Sequence, residues 1–153
     1  MNLPIHILEI LNKKSNEIVE GSKSNCFWAT QYFFDPSVFP PKLLNGNEIL
    51  KFISEKCIQV EEPNSSDIFI IWSSSETRLS PDKIDVHYLS TIPEGFPFGL
   101  IIEHSGVFLK NEQIFQKASP KEDDKFEIID KGLAFACYDH LPWIRKTFHR
   151  YIR

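Results

Sequence analysis

The spacing of apolar residues changes near residue 66, and this change limits the possible folds more than any other feature. Before it, apolar residues recur at helical spacing in the ranges 5–20, 26–34 and 47–57. After it, short apolar runs bounded by turn residues predict strands at 67–72, 98–109, 113–118, 126–129 and 133–138. Helices followed by a run of strands predict an α+β fold with an antiparallel sheet.

Two further segments carry weaker signals. Residues 73–97 form a long polar excursion, broken by prolines, in which 84–89 could form a short strand. Loops of this length are often functional covers. The range 140–153 predicts a last helix with Pro142 in its first turn. The basic residues of that helix are then expected on its solvated face: Arg145, Lys146, His149, Arg150 and Arg153.

Length and charge exclude several classes of protein. The 153 residues suit a single domain spanning 1–153, and 42% hydrophobic residues are enough for a core. A net charge of -4 without a strongly basic face argues against a nucleic-acid partner. No apolar run reaches eighteen residues, so no membrane span is predicted. The absence of a secretory signal favours a cytoplasmic location, and delivery into another cell or compartment stays open.

Cys26 is the cysteine best placed for chemistry. An odd count of three widely spaced cysteines argues against a disulfide framework. Cys26 begins the second predicted helix, which Ser24 or Asn25 can cap. Free N–H groups and the positive end of the dipole stabilise a thiolate there, although a buried packing thiol is equally compatible with this position. Cys57 and Cys137 are expected to be packing residues.

His104 is the histidine with the most informative surroundings. It lies in a Glu-His-Ser-Gly segment within a predicted strand, where a polar residue needs a hydrogen-bond partner or a function. No cysteine and histidine have the close spacing of a structural zinc site. The sequence therefore predicts neither a metal nor any other cofactor.

Four segments, taken in order, resemble the NlpC/P60 family of papain-like cysteine peptidases and amidases of bacteria. Residues 24–26 with the aromatic helix behind them resemble the family's Asp-Cys-Ser-Gly-Phe segment. Residues 67–71 resemble its Gly-Asp-hydrophobic strand, and 104–109 its His-x-Gly-hydrophobic-Tyr-Leu strand. Residues 113–119 resemble the next strand, which usually supplies a third polar residue.

The resemblance implies an NlpC/P60-like core with Cys26 as nucleophile and His104 as base. It also implies that Gln116, twelve positions after the histidine, orients the base. Lys117 pairs better with the family's residue by the Ala-Ser that follows it, but its charge would repel an imidazolium, so Gln116 is preferred. The chain departs from the family at Phe27, which with the following tryptophan replaces a Ser-Gly pair.

The predicted reaction is hydrolysis of an amide or peptide through a thioester, on cell-wall-type or other small peptides. The backbone N–H of Cys26 and the side chain of Asn25 are the expected oxyanion donors. Trp28 and Trp72 either line the substrate cleft, together with Phe96, or belong to the core. The alternatives are a non-catalytic binding module on the same fold and a cysteine acyltransferase or lipid hydrolase. The sequence does not indicate which oligomeric state the protein adopts.

Overall fold

A computed structural model describes residues 3–75, 83–92, 96, 99–119, 121 and 123–152 of the chain. Its elements begin with helices. These are α1 (Ile5–Ile10), α2 (Ser15–Ile18), α3 (Cys26–Phe34), a 3-10 turn (Pro36–Val38) and α4 (Gly46–Lys56). The predicted first helix, 5–20, is thus divided in two, since Asn12 adopts a left-handed conformation with φ of 64° between its halves. None of the described helices is long and apolar enough to cross a bilayer.

A six-stranded antiparallel sheet follows the helices and confirms the predicted α+β class. Its strands lie in the order β1-β6-β2-β3-β4-β5, and every ladder among them is antiparallel. The strands are β1 (Cys57–Val60), β2 (Ile68–Ser74), β3 (Leu100–Phe108), β4 (Gln113–Lys117), β5 (Phe126–Asp130) and β6 (Arg145–Tyr151). The β3–β4 hairpin turns at Asn111 and Glu112, as predicted, and both residues have positive φ.

Three predicted elements were wrong in type: two predicted strands are helices, and the predicted last helix is a strand. The range 84–89 contains no strand but most of helix α5 (Val86–Ser90), which Asp85 caps. The predicted strand 133–138 belongs largely to helix α6 (Lys131–Ala136), because the Asp130 carboxylate accepts the Leu133 N–H and starts a helix. A short apolar run does not by itself distinguish a strand from a helical turn.

The predicted C-terminal helix, 140–153, is replaced by β6. This strand is hydrogen-bonded on both sides, to β1 and to β2, and it buries Thr147 and His149. Alternate residues therefore point into the protein, as the period of a strand requires. The basic residues of this segment do not form a solvated helical face. Arg150 instead donates two hydrogen bonds, of 3.0 and 2.9 Å, to the carboxylate of Asp67, which is 2% exposed.

The two faces of the sheet are covered by different elements. Helices α3 and α4 pack on one face, where Ile70, Trp72 and Val107 are fully buried. Helix α6 packs on the other face against Phe69 and Phe108. Since side chains alternate along a strand, neighbouring residues of β3 belong to different faces. This alternation decides which partners each candidate site residue can meet.

Gly106 is expected to be intolerant of any side chain. A Cβ built at this position would lie 2.6 Å from the ring of Phe69 and 2.9 Å from the carbonyl oxygen of Phe115. Gly106→Ala should therefore lower the free energy of unfolding by about 1–3 kcal/mol. Urea unfolding would measure it, with Gly46→Ala as the matched control because its nearest contact would be an ordinary 3.5 Å. Equal stability of the two variants would contradict the close packing of β3 against β2 and β4.

Candidate active site

Cys26 is the first residue of α3, as predicted, and Asn25 is the cap. The Asn25 side-chain oxygen accepts the Trp28 N–H at 3.1 Å. The Cys26 residue is 8% exposed. Burial raises the pKa of its thiol to about 11, and hydrogen bonds from Ser105 and from the backbone of Cys26 and Phe27 oppose that rise. The helix start thus supplies the expected amide groups, but burial outweighs them and the resting group is a neutral thiol.

His104 and Gln116 are brought together by adjacent strands. The His104 Nε2 and the Gln116 Oε1 are 2.6 Å apart, and both residues are buried. Burial lowers the pKa of His104 to about 4, and the hydrogen bond to Gln116 opposes that effect. The imidazole is therefore neutral at pH 7. Because the carbonyl oxygen can only accept, the ring nitrogen facing it is the donor.

Cys26 and the side chain of His104 lie on different sides of β3. The side chain of Ser105 faces α3, where its hydroxyl lies 2.7 Å from that of Thr30. The preceding residue, His104, faces the α6 side and contacts Phe69 with ring centroids 5.8 Å apart. The thiol is hydrogen-bonded at Ser105, next to His104 in the strand. Among the hydrogen bonds of the described residues, none joins this thiol directly to the imidazole.

The ladder between β3 and β4 is short. It is paired only at Val107 with Phe115 and at Phe108 with Ile114. Ser105, two residues before the first of these pairs in β3, donates its hydroxyl to the Cys26 carbonyl at 3.4 Å. Cys26, at the start of α3, is therefore in contact with the residue that follows His104 in β3.

Tyr138 covers the imidazole. Its ring stacks on that of His104, with centroids 5.2 Å apart and planes inclined by 17°. The pKa of its phenol is raised first by burial and then by the neighbouring Cys26, Cys137 and Glu103. Tyr138 therefore lies within electrostatic reach of both candidate groups. A substrate approaching from this face would have to displace its ring.

The residues predicted to bind substrate have other roles. Trp28 is fully buried, stacks on Tyr32 and donates its indole N–H to the Val38 carbonyl at 3.0 Å. Trp72 is fully buried as well, so both tryptophans belong to the core and offer no surface to a ligand. The Asn25 amide donates to the Leu44 carbonyl at 2.7 Å and is therefore already engaged.

The remaining cysteines differ from each other. Cys57 is half-buried against the main core, as expected, and burial followed by the nearby Asp67 raises its pKa to about 12. Cys137 was predicted to pack inside a strand, but it is exposed at the C-cap of α6. In the predicted loop 73–97, the ring of Phe96 packs edge-on against that of Trp72. Residues 76–82, 93–95 and 97 of this loop lie outside the described residues.

Two residues near the site were missed by sequence reasoning. Tyr138 was assigned to a strand, and no spacing in the sequence indicates a ring stacked on His104. Glu127 accepts a hydrogen bond of 3.0 Å from the Gln116 Nε2 and pairs with Gln116 across β4 and β5. The register of β4 against β5, which places Glu127 opposite Gln116, is the signal that would have identified this residue. Within the described part of the chain, no group of three or more potential ligands could hold a metal ion.

The chain was compared with protein-family models, with curated proteins and with solved structures, and none of them matches it. No family is therefore assigned, and the interpretation of the site rests on its own geometry.

Proposed function

We propose that this protein is a cysteine hydrolase of amide or peptide bonds, similar to the NlpC/P60 enzymes, with Cys26 as nucleophile and His104 as base. The observation that carries the proposal is the buried 2.6 Å hydrogen bond between His104 and Gln116, with Cys26 in contact with Ser105, the next residue of β3. A base oriented by a third polar group and a thiol at a helix start are two parts of the arrangement that nucleophilic catalysis requires.

The reaction would begin from neutral groups. Since the pKa of Cys26 is about 11 and that of His104 is about 4, the pair does not rest as a thiolate and an imidazolium. As the sulfur attacks the substrate carbonyl, the thiol proton passes to the imidazole and a C–S bond forms. The imidazolium then protonates the leaving amine as the C–N bond breaks. Water, deprotonated by the same imidazole, then attacks the thioester carbonyl. The C–S bond breaks, the acid leaves, and the imidazolium returns the proton to the sulfur.

The developing oxyanion would be stabilised by backbone donors. The N–H groups of Cys26 and Phe27 lie at the open start of α3, where no carbonyl of the helix precedes them as an acceptor. The Ser105 N–H approaches the thiol from the strand side. A carbonyl attacked by the sulfur would thus lie close to donors that come from two rigid elements.

A non-catalytic binding module is the second candidate, and burial is the observation that favours it. The Cys26 and His104 residues are 8% and 1% exposed, they are not hydrogen-bonded to each other, and Tyr138 stacks over the imidazole. A thiol with a pKa near 11 reacts slowly with most electrophiles because little thiolate is present at neutral pH. On this alternative the pair contributes only to packing.

The two candidates predict opposite orders of acylation. In the hydrolase, a p-nitrophenyl ester should acylate Cys26 faster than the exposed Cys137, although burial raises the pKa of the Cys26 thiol. Variants that each retain one cysteine, Cys57→Ala with Cys137→Ala and Cys26→Ala with Cys57→Ala, allow the comparison by intact-mass spectrometry. Burial alone would make Cys26 slower, because raising its pKa from 9.0 to about 11 lowers its thiolate fraction by about 100-fold, so a faster reaction requires catalysis.

The base is tested in the same assay. His104→Ala, in the variant that retains only Cys26, should slow both acylation and release of the acyl group, whereas His140→Ala, at an exposed position, should change neither. Circular dichroism would verify that both variants are folded. Acylation of Cys26 no faster than that of Cys137, or unaffected by His104→Ala, would rule out the hydrolase and leave the binding module.

A further inference from the structure

A chain of hydrogen bonds extends the candidate site across three strands. It runs from the His104 Nε2 to the Gln116 Oε1 over 2.6 Å, and from the Gln116 Nε2 to the Glu127 Oε1 over 3.0 Å. The three residues lie on β3, β4 and β5. The Gln116 side chain therefore joins an imidazole at one end of its amide to a carboxylate at the other.

The direction of this chain is fixed by the carboxylate. An ionised carboxylate only accepts hydrogen bonds, so the end of the Gln116 amide that faces Glu127 must be its NH₂ group. The other end, the carbonyl oxygen, then faces His104 and can only accept. The Nε2 of His104 must accordingly carry the ring proton, which leaves Nδ1 as the unprotonated nitrogen. One acidic residue thus selects the tautomer of a ring two side chains away.

We propose that Glu127 is a positioning residue, which holds His104 in the tautomer that leaves Nδ1 free to accept a proton. The inference takes its catalytic meaning from the proposed hydrolase, although the tautomer itself can be measured without any reaction. Glu127 touches neither the thiol nor the ring, and it acts through Gln116 alone.

The register of the sheet supports this role. Gln116 and Glu127 are direct partners across the β4–β5 ladder, which is paired over all five of its positions, from Gln113 with Asp130 to Lys117 with Phe126. A direct cross-strand partner has its Cβ close by and on the same face. The contact is therefore built into the strand pairing and does not depend on a chance rotamer of a loop side chain.

The tautomer can be read by NMR of the ring nitrogens of His104, whose signals are identified by their loss in His104→Gln. In the unmodified protein at pH 7 we expect Nε2 protonated and Nδ1 bare. Glu127→Ala should give a mixture of tautomers, since the amide of Gln116 can then rotate. Glu127→Gln retains an acceptor oxygen and should preserve most of the original form.

Glu127→Lys gives the sharpest test because an ammonium group only donates. It should turn the Gln116 oxygen towards the lysine and the NH₂ group towards His104, so that Nδ1 becomes the protonated nitrogen. Glu112→Ala is the matched control, since this glutamate pairs with Lys131 at the far end of the β3–β4 hairpin. If both Glu127→Ala and Glu127→Lys leave Nε2 fully protonated, the inference is overturned.

The acylation assay separates this inference from the proposed function. If Cys26 is unreactive but the His104 tautomer changes with the substitution at position 127, the hydrolase is wrong and the positioning role stands. If acylation of Cys26 is rapid but the His104 tautomer is the same in every variant at position 127, the hydrolase stands and the positioning role is wrong. In an active protein, Glu127→Lys should slow acylation more than Glu127→Gln does.

Discussion

Lowering the pH from 7 to 4 is expected to remove about 3 kcal/mol of folding free energy for each of two buried histidines, His104 and His149. Burial lowers the pKa of each to about 4 in the folded protein, against 6.5 for the free side chain. Each pKa unit corresponds to about 1.4 kcal/mol. Between pH 6.5 and 4 the unfolded chain binds protons that the folded chain does not, so the free energy of unfolding falls as the pH falls through this window. Above pH 6.5 the contribution of each neutral histidine is present in full.

His149 is the better histidine for testing this effect, because it lies away from the candidate site. It is 1% exposed, its Nε2 is 2.9 Å from the Thr147 hydroxyl, and the carboxylate of Asp67 opposes the lowering of its pKa. His149→Gln removes the titrating group and keeps hydrogen-bonding capacity. The difference in unfolding free energy between this variant and the unmodified protein should therefore change by about 3 kcal/mol between pH 7 and pH 4.

Urea unfolding at a series of pH values measures this difference. Carboxylates also titrate near pH 4, but they are common to both proteins and cancel in the comparison. His140→Gln is the matched control, since this histidine is exposed and should leave the pH dependence unchanged. A His149→Gln profile parallel to that of the unmodified protein would show that His149 binds its proton at the same pH in the folded and unfolded states, so that burial does not lower its pKa.

Trp72→Ala is expected to destabilise the fold by about 3–5 kcal/mol, the usual cost of truncating a buried tryptophan. The indole is fully buried between β2 and helix α4, and its N–H donates to the Thr147 hydroxyl at 2.9 Å. Truncation removes this hydrogen bond and leaves a cavity in the largest core cluster. The same substitution would be mild if Trp72 lined an open cleft.

Trp72→Phe separates the two contributions. It keeps an aromatic ring in the core and loses the hydrogen bond to Thr147, which is worth about 1 kcal/mol. Chemical denaturation of both variants, compared at equal m-values, gives the two costs. A loss below about 1 kcal/mol for Trp72→Ala would contradict the core assignment and restore Trp72 as a candidate for ligand contact.

The sequence predicted those elements whose signals are local. Asn25 before an aromatic run predicted the cap and the start of α3, and the turn at Asn111 predicted the β3–β4 hairpin. The pairing of His104 with Gln116 was implied by the family resemblance, and the structure contains this hydrogen bond. The contacts that depend on a hairpin are close in sequence, and so a pattern of residues is sufficient to place them.

The elements that were wrong depend on distant parts of the chain. The range 145–151 has no strand-like apolar alternation, and it is extended because β1 and β2 supply hydrogen-bond partners on both sides. Tyr138 reaches His104 only because α6 returns the chain across the sheet. Burial also outweighs the stabilisation of a Cys26 thiolate that the helix start was expected to supply, since the sequence shows a helix start but not how deeply its first residue is enclosed.

The insertion of β6 between β1 and β2 makes the sheet depend on long-range contacts. The Asp67–Arg150 and Trp72–Thr147 bonds join residues separated by 83 and 75 positions. Such pairing requires closure of a long loop, which slows folding relative to hairpin formation. Until β6 arrives, β1 and β2 each present an open edge with unpaired backbone groups, a site for association with another chain. Folding intermediates that lack β6 are therefore the species from which aggregation is expected to begin.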